Sequence, residues 1–112
     1  MSFKIIAIPP FGRQLKRLAK KYPSIGEDLT NLGNDLTENP IQGIPLGKDC
    51  YKIKLSISSK GKGKSAGARI ITCVRIVKET VFLLTIFDKS DMENISDKEL
   101  KGLLEYLDEE EM

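Results

Sequence analysis

Asp49 to Arg75 reads DCYKIKLSISSKGKGKSAGARIITCVR. The stretch divides into two strand-like segments joined by a Gly/Ser/Lys loop. In the first segment Tyr51, Ile53, Leu55 and Ile57 alternate with Lys52, Lys54 and Ser56, the period of a strand with one face buried and the other charged. In the loop a lysine stands at every second position, Lys60, Lys62 and Lys64. Between Lys48 and Arg69 seven cations face a single acid, Asp49, for a local net charge of +6. The chemistry that answers such a segment is a polyanion.

Charge elsewhere is distributed unevenly. The whole chain of 112 residues carries only +2, but residues 88–112 hold ten acids against three lysines. That length predicts a single domain, residues 1–112, able to bury a modest core. No apolar run approaches the roughly 20 residues of a membrane helix, and the N-terminus lacks a signal-peptide pattern. A cytoplasmic protein is the expectation. Histidine is absent, which removes the usual near-neutral proton carrier. Cys50 and Cys73 lack the paired spacing of a zinc site, and both are expected as small, buried, unbridged residues.

Outside the basic segment the periodicity is informative. Phe3 to Ile8 predicts a strand, ended by Pro9 and Pro10. Phe11, Leu15, Leu18, Ala19 and Tyr22 form one face of a helix over about 10–21, with Arg13, Lys16, Arg17, Lys20 and Lys21 on the other. Ser24 and Glu27 have the form of a capping box. Ile25, Leu29, Leu32 and Leu36 then predict a second helix, stopped by Asn39-Pro40. Gly43, Pro45 and Gly47 read as a linker. Arg69–Val77 and Val81–Phe87 are apolar at both parities, as inner strands are, and Lys78–Thr80 predicts their hairpin turn. A second capping box, Ser96 with Glu99, opens a third helix striped by Leu100, Leu103, Leu104 and Leu107. Its acidic end, Asp108–Glu111, is expected to fray against the helix dipole. The expected class is α+β, in the order β-α-α-β-β-β-α.

Lys52 and Lys54 leave one strand face about 6.6 Å apart along the chain, and Arg69 and Arg75 share a parity on the next strand. Such a cluster suits a phosphodiester and the added charge of its transition state. A lysine crowded by other cations can serve as a general base. The same pattern also describes a solvated strand face with a flexible tip, and spacing alone leaves both readings standing. Tyr51 and Phe87 have the parity of core residues.

The element order, with YKIKL at 51–55, SKGKGKSAGARII at 59–71 and VFLLTIFDKSDMENIS at 81–96, resembles the RelE/ParE toxin superfamily, most closely its HigB-like branch. The resemblance implies a curved antiparallel sheet flanked by an N-terminal helical hairpin and a C-terminal helix. It also implies a toxin of a type II toxin-antitoxin pair that cleaves mRNA on the ribosome by attack of a 2′-hydroxyl, with no metal or other cofactor. Carried over by position, Lys54 is the expected general base, and Lys52 and Arg69 contact the phosphate and transition state. Lys60, Lys62, Lys64, Arg75 and Lys89 are expected RNA contacts. The implied partners are a cognate antitoxin, forming a hetero-oligomer with the toxin, and the ribosome with its message. Two alternatives remain: a gyrase inhibitor like the ParE side of the superfamily, and an RNA-binding relative of weak activity.

Overall fold

A computed structural model describes residues 2–60, 67–92 and 94–110. Lys62 and Lys64 lie outside the described residues, as do the side chains of Lys60 and of the acidic run 108–110. The chain forms β1 (Lys4–Ala7), α1 (Pro9–Lys21), α2 (Ile25–Glu38), β2 (Ile44–Gly47), β3 (Cys50–Leu55), β4 (Ala68–Arg75), β5 (Thr80–Asp88) and α3 (Asp97–Glu110). The strands make one five-stranded sheet in the order β1-β5-β4-β3-β2. The α+β class and the sequence of major elements agree with expectation.

Two features differ. β1 lies parallel to β5, from Lys4 opposite Thr80 to Ala7 opposite Leu83, so the sheet is mixed rather than wholly antiparallel. The segment read as a linker contains β2, an edge strand paired with the start of β3. Its turn places Lys48 and Asp49 at φ 56° and 62°. That is the left-handed geometry of a two-residue hairpin turn, usually signalled by Asn-Gly, and Lys-Asp carries no such signal. Gly43 precedes β2 at φ +92°, where a Cβ would lie 2.2 Å from the Lys52 carbonyl oxygen.

Helix boundaries follow the local chemistry. Pro9 and Pro10 occupy the first turn of α1, where their missing N–H groups cost nothing. Lys20 and Lys21 in the last turn of α1, and Glu27 and Asp28 in the first turn of α2, complement the helix dipoles. At α3 the Ser96 hydroxyl accepts the Glu99 N–H at 3.1 Å, as the capping motif predicts, and donates to the Glu99 carboxylate at 3.2 Å. The acidic end of α3 is helical through Glu110. Ser24 does not cap α2: its backbone is helical and its side chain makes no cap bond, being drawn into a contact described below.

The helices cover both faces of the sheet. On one, Phe11 and Leu18 of α1, Tyr22 just past its end, and Ile25 and Leu36 of α2 pack on Ile53, Leu55, Ile70, Val81 and Ile86. On the other, Leu100 and Leu107 of α3 pack on Ile71, Cys73, Phe82, Leu84 and Phe87. Burial of each such side chain is worth about 1.5–3 kcal/mol relative to exposure. Among the described residues no helix is long and apolar enough to cross a membrane.

Candidate functional site

Register decides which charged side chains meet. β3 and β4 run antiparallel with Cys50 opposite Cys73, Lys52 opposite Ile71 and Lys54 opposite Arg69. The Val74 N–H donates to the Asp49 carbonyl at 2.9 Å, which makes that row a hydrogen-bonded pair. The rows alternate, so Lys54 and Arg69 form a non-hydrogen-bonded pair, the kind in which Cα atoms approach to about 4.5 Å and side chains stand closest. Both leave the sheet on the α3 side, as does Lys52 one row along. The strand alternation thus brings together the three residues expected to act on phosphate.

Their environments differ. Lys54 is exposed and Lys52 half-buried, whereas Arg69 is only 4% exposed and turns a guanidinium nitrogen to the Ala68 carbonyl at 3.1 Å. Like charges directly opposite one another disfavour strand pairing. Phe87 completes the row, opposite Arg69 on β5. It is 9% exposed and belongs to the core, as its parity implies. It also borders a groove of about 610 Å³ between α1, the end of β5 and α3, which includes Arg17 and Tyr106.

The other predicted contacts fall in different places. Lys89 lies at the same corner, its N–H donating to the Gly67 carbonyl at 3.1 Å. Arg75 shares the face of Arg69, as parity requires, but stands about 20 Å away along the strand and lies 3.9 Å from Asp49. The structure does not bring Arg75 to the cluster. Cys50 and Cys73 are free and buried. Contact with the Cys73 sulfur, then burial, pushes the Cys50 thiol up, which keeps it from acting as a nucleophile.

Two arrangements at this end of the sheet were not evident from sequence. Asp88, 1% exposed, accepts the Tyr22 hydroxyl at 2.6 Å and the Ser90 N–H at 3.0 Å, with Lys21 at 3.8 Å. The only signal was an acid closing a run of apolar residues. The second arrangement replaces the expected cap of α2. The Asp28 carboxylate accepts the Ser58 N–H and hydroxyl at 2.9 and 2.6 Å and the Ser24 hydroxyl at 2.9 Å, while the Ser59 N–H donates to Ser24 at 2.8 Å. These bonds pin a short 3₁₀ turn, Ser58–Lys60, to the start of α2. The Gly/Lys loop therefore departs from an anchored base.

Burial raises the Asp28 pKa, but bonds from the Ser58 side chain and backbone and from Ser24 outweigh it and hold the carboxyl below its ordinary value. A depressed folded-state pKa means the anchor's contribution is complete above the unfolded carboxyl's pKa, about 4, and is lost as pH falls through the folded value. Hydrogen exchange at the Ser58 amide should accelerate, after correction for intrinsic rate, on acidification below about pH 4. Asp28→Asn should remove that dependence. A Ser58 amide equally protected across the acid range would show that the carboxylate does not hold the turn.

A five-stranded mixed sheet with a helical hairpin and a C-terminal helix is a fold shared with solved toxins. The chain matches the family described as RelE toxin of the RelE/RelB toxin-antitoxin system over residues 12–109. The protein belongs to the RelE toxin family. Its fold is similar to a double Arg-to-Ala variant of Escherichia coli toxin RelE in the free state, at 25% identity and TM-score 0.58 over 83% of this chain and 90% of that one. It is also similar to the intact E. coli RelBE toxin-antitoxin complex, at 21% identity and TM-score 0.61 over 78% and 96% of the two chains. A RelBE toxin-antitoxin complex from Mycobacterium tuberculosis gives 14% identity and TM-score 0.58 over 79% and 99%.

Proposed function

We propose that this protein is a toxin that cleaves mRNA on the ribosome, with the Lys52, Lys54 and Arg69 face as its active surface. The observation that carries the reading is the direct opposition of Lys54 and Arg69 across β3 and β4, in a chain of the RelE toxin family. A ribose 2′-hydroxyl placed over Lys54 loses its proton to the amine and attacks the adjacent phosphorus. The bond from phosphorus to the 5′-oxygen breaks and the leaving oxygen takes a proton from water, giving a 2′,3′-cyclic phosphate and a 5′-hydroxyl end. Arg69 and Lys52 face the phosphoryl oxygens on which charge accumulates. Every group this route uses belongs to the chain, the RNA or the solvent, and the route calls for neither metal nor cofactor. Lys89 and the loop lysines Lys60, Lys62 and Lys64 are the further phosphate contacts of this proposal.

A cognate antitoxin is the proposed partner, as in the solved complexes of the relatives. It would present acidic or amphipathic segments to the basic face, or compete with α3 for its apolar groove. The site of action would be the cytoplasm, where messages are translated. The test is induction without antitoxin, followed by mapping of new mRNA 5′ ends. Cuts inside translated codons that vanish when initiation is blocked are the expected result. Growth arrest with intact messages would overturn the reading, and DNA breaks accompanying it would indicate gyrase.

A further inference from the structure

On the sheet face that carries Lys52, Lys54 and Arg69, the first row of β3 and β4 sets the two cysteines of the chain directly opposite one another. Asp49 and Val74 are hydrogen-bonded in the row beside them. The alternation of rows makes Cys50 and Cys73 a non-hydrogen-bonded pair, whose Cα atoms approach to about 4.5 Å. A disulfide accepts Cα separations of about 4.4–6.8 Å. The pair is within reach of a bridge, at the short end of the permitted range, where strain makes the bond easier to reduce. The sulfurs converge as well. Cys50 Sγ lies 3.4 Å and Cys73 Sγ 3.8 Å from the same Lys48 carbonyl oxygen, and the two thiols contact each other. Both residues are reduced, and they are 1% and 0% exposed.

The carbonyl that both sulfurs touch belongs to the turn between β2 and β3. Gly47, Lys48 and Asp49 stand there at φ 88°, 56° and 62°, a geometry that a Cβ disfavours. β2 itself is four residues long, lies at the edge of the sheet and shifts register between Pro45 and Gly47. A short, irregularly paired edge is the kind of segment that opens without global unfolding.

We propose that Cys50 and Cys73 are a site of reversible disulfide formation, oxidised by a small-molecule disulfide of the glutathione class when the 47–49 turn opens. One cysteine thiolate attacks a sulfur of the small disulfide, whose S–S bond breaks and releases one thiol, leaving a mixed disulfide on the chain. The other cysteine thiolate then attacks the protein sulfur of that mixed disulfide, forms the cross-strand bond and expels the second small thiol. Two electrons pass to the small disulfide, and the two cysteine protons end on its released thiols. In the closed structure the raised Cys50 thiol is the wrong form for attack, so exchange waits on the opening. The bond joins the strands that carry Lys52, Lys54 and Arg69, and oxidation locks their register. The exchange involves no RNA and stands whether or not the protein cleaves message.

The test incubates the folded full chain with oxidised glutathione, alkylates the remaining thiols after denaturation, and reads masses and linked peptides. The expected product has lost two hydrogens, retains no glutathione and joins the Cys50 peptide to the Cys73 peptide. Excess reduced glutathione should return both thiols. Cys50→Ala and Cys73→Ala should each stop at a retained glutathione, with thermal unfolding showing that they are folded. Lys48→Asn/Asp49→Gly keeps both cysteines, supplies the residues such a turn favours, and should slow bridging several-fold. Thiols that stay unbridged in the folded protein, a bridge between chains in place of the one within, or a bond that reduced glutathione does not reopen would each overturn the proposal. So would bridging no faster than global unfolding measured in parallel, or an unchanged rate in the Asn-Gly variant, since either would remove the turn as its gate.

Discussion

Lys54→Ala is expected to abolish growth arrest and to lower mRNA cleavage by about 10²–10⁴-fold, the range supplied by a positioned general base. The same substitution should not destabilise the protein. Lys54 is exposed and stands directly opposite Arg69, so its removal relieves a like-charge pair worth about 0.2–1 kcal/mol. Activity and stability should therefore move in opposite directions, with lost cleavage accompanied by an unchanged or slightly raised urea midpoint. Arg69→Ala should lose about 10²–10³-fold in cleavage as a charge stabiliser. Because Arg69 is buried and bonded to the Ala68 carbonyl, it should also lose stability. The double variant should lose less than the product of the two, as groups acting in one step do. Full cleavage by Lys54→Ala at wild-type expression would remove it from the mechanism.

Gly67→Ala is expected to be among the most damaging small substitutions in the chain. A Cβ there would lie 2.0 Å from the Leu55 carbonyl oxygen and 3.2 Å from the Ser56 Cα. These are backbone atoms of β3 and the residue after it, and they cannot move aside without parting β3 from β4 beside the Lys54 row. Overpacking of this kind costs about 1–3 kcal/mol and sometimes more, and the parted strands should also displace Arg69 from Lys54. Gly33→Ala supplies the contrast. Gly33 lies inside α2, where an added Cβ would meet nothing within 4 Å, and alanine in a helix interior gains about 0.5–1 kcal/mol over glycine. Urea unfolding of the two variants should give shifts of opposite sign. A Gly67→Ala protein as stable as the parent would mean that the two strands separate there at little cost.

The parts of the fold that sequence made legible are those written in periodicity. The leucine stripes of α1, α2 and α3 and the alternation of β3 appear in the structure near their expected positions, because each pattern matches a face that must be buried. What remained hidden depends on contacts distant in sequence. The parallel pairing of β1 with β5 leaves no local mark, since Ile5 and Ile6 would alternate identically beside any neighbour. β2 was obscured by Pro45 and two glycines, and by a left-handed turn built from Lys48 and Asp49. Within the site, the parity of Lys52, Lys54 and Arg69 was readable, while the separation of Arg75 required the register of a whole strand. The Tyr22 contact to Asp88 joins residues 66 positions apart, and no spacing rule reaches that far. Ser24 shows the opposite failure: a valid capping motif was diverted because Asp28 and Ser59 offered its hydroxyl better partners.

The pairing of β1 with β5 also sets the order in which the molecule can be assembled. Lys4 finds its strand partner only at Thr80, so during vectorial synthesis the first strand must wait until most of the chain has been made. The β3–β4 hairpin closes over a short loop and can form earlier, with its cations already in register. Until β5 arrives, however, Ile70 and Ile71 lack their neighbours on one side, and the apolar stripe of α1 has no sheet to cover. Contacts between chain ends are slow to form because loop closure must precede the stabilising contact. The folded protein is therefore a late product of its own translation, complete only once β5 has been made.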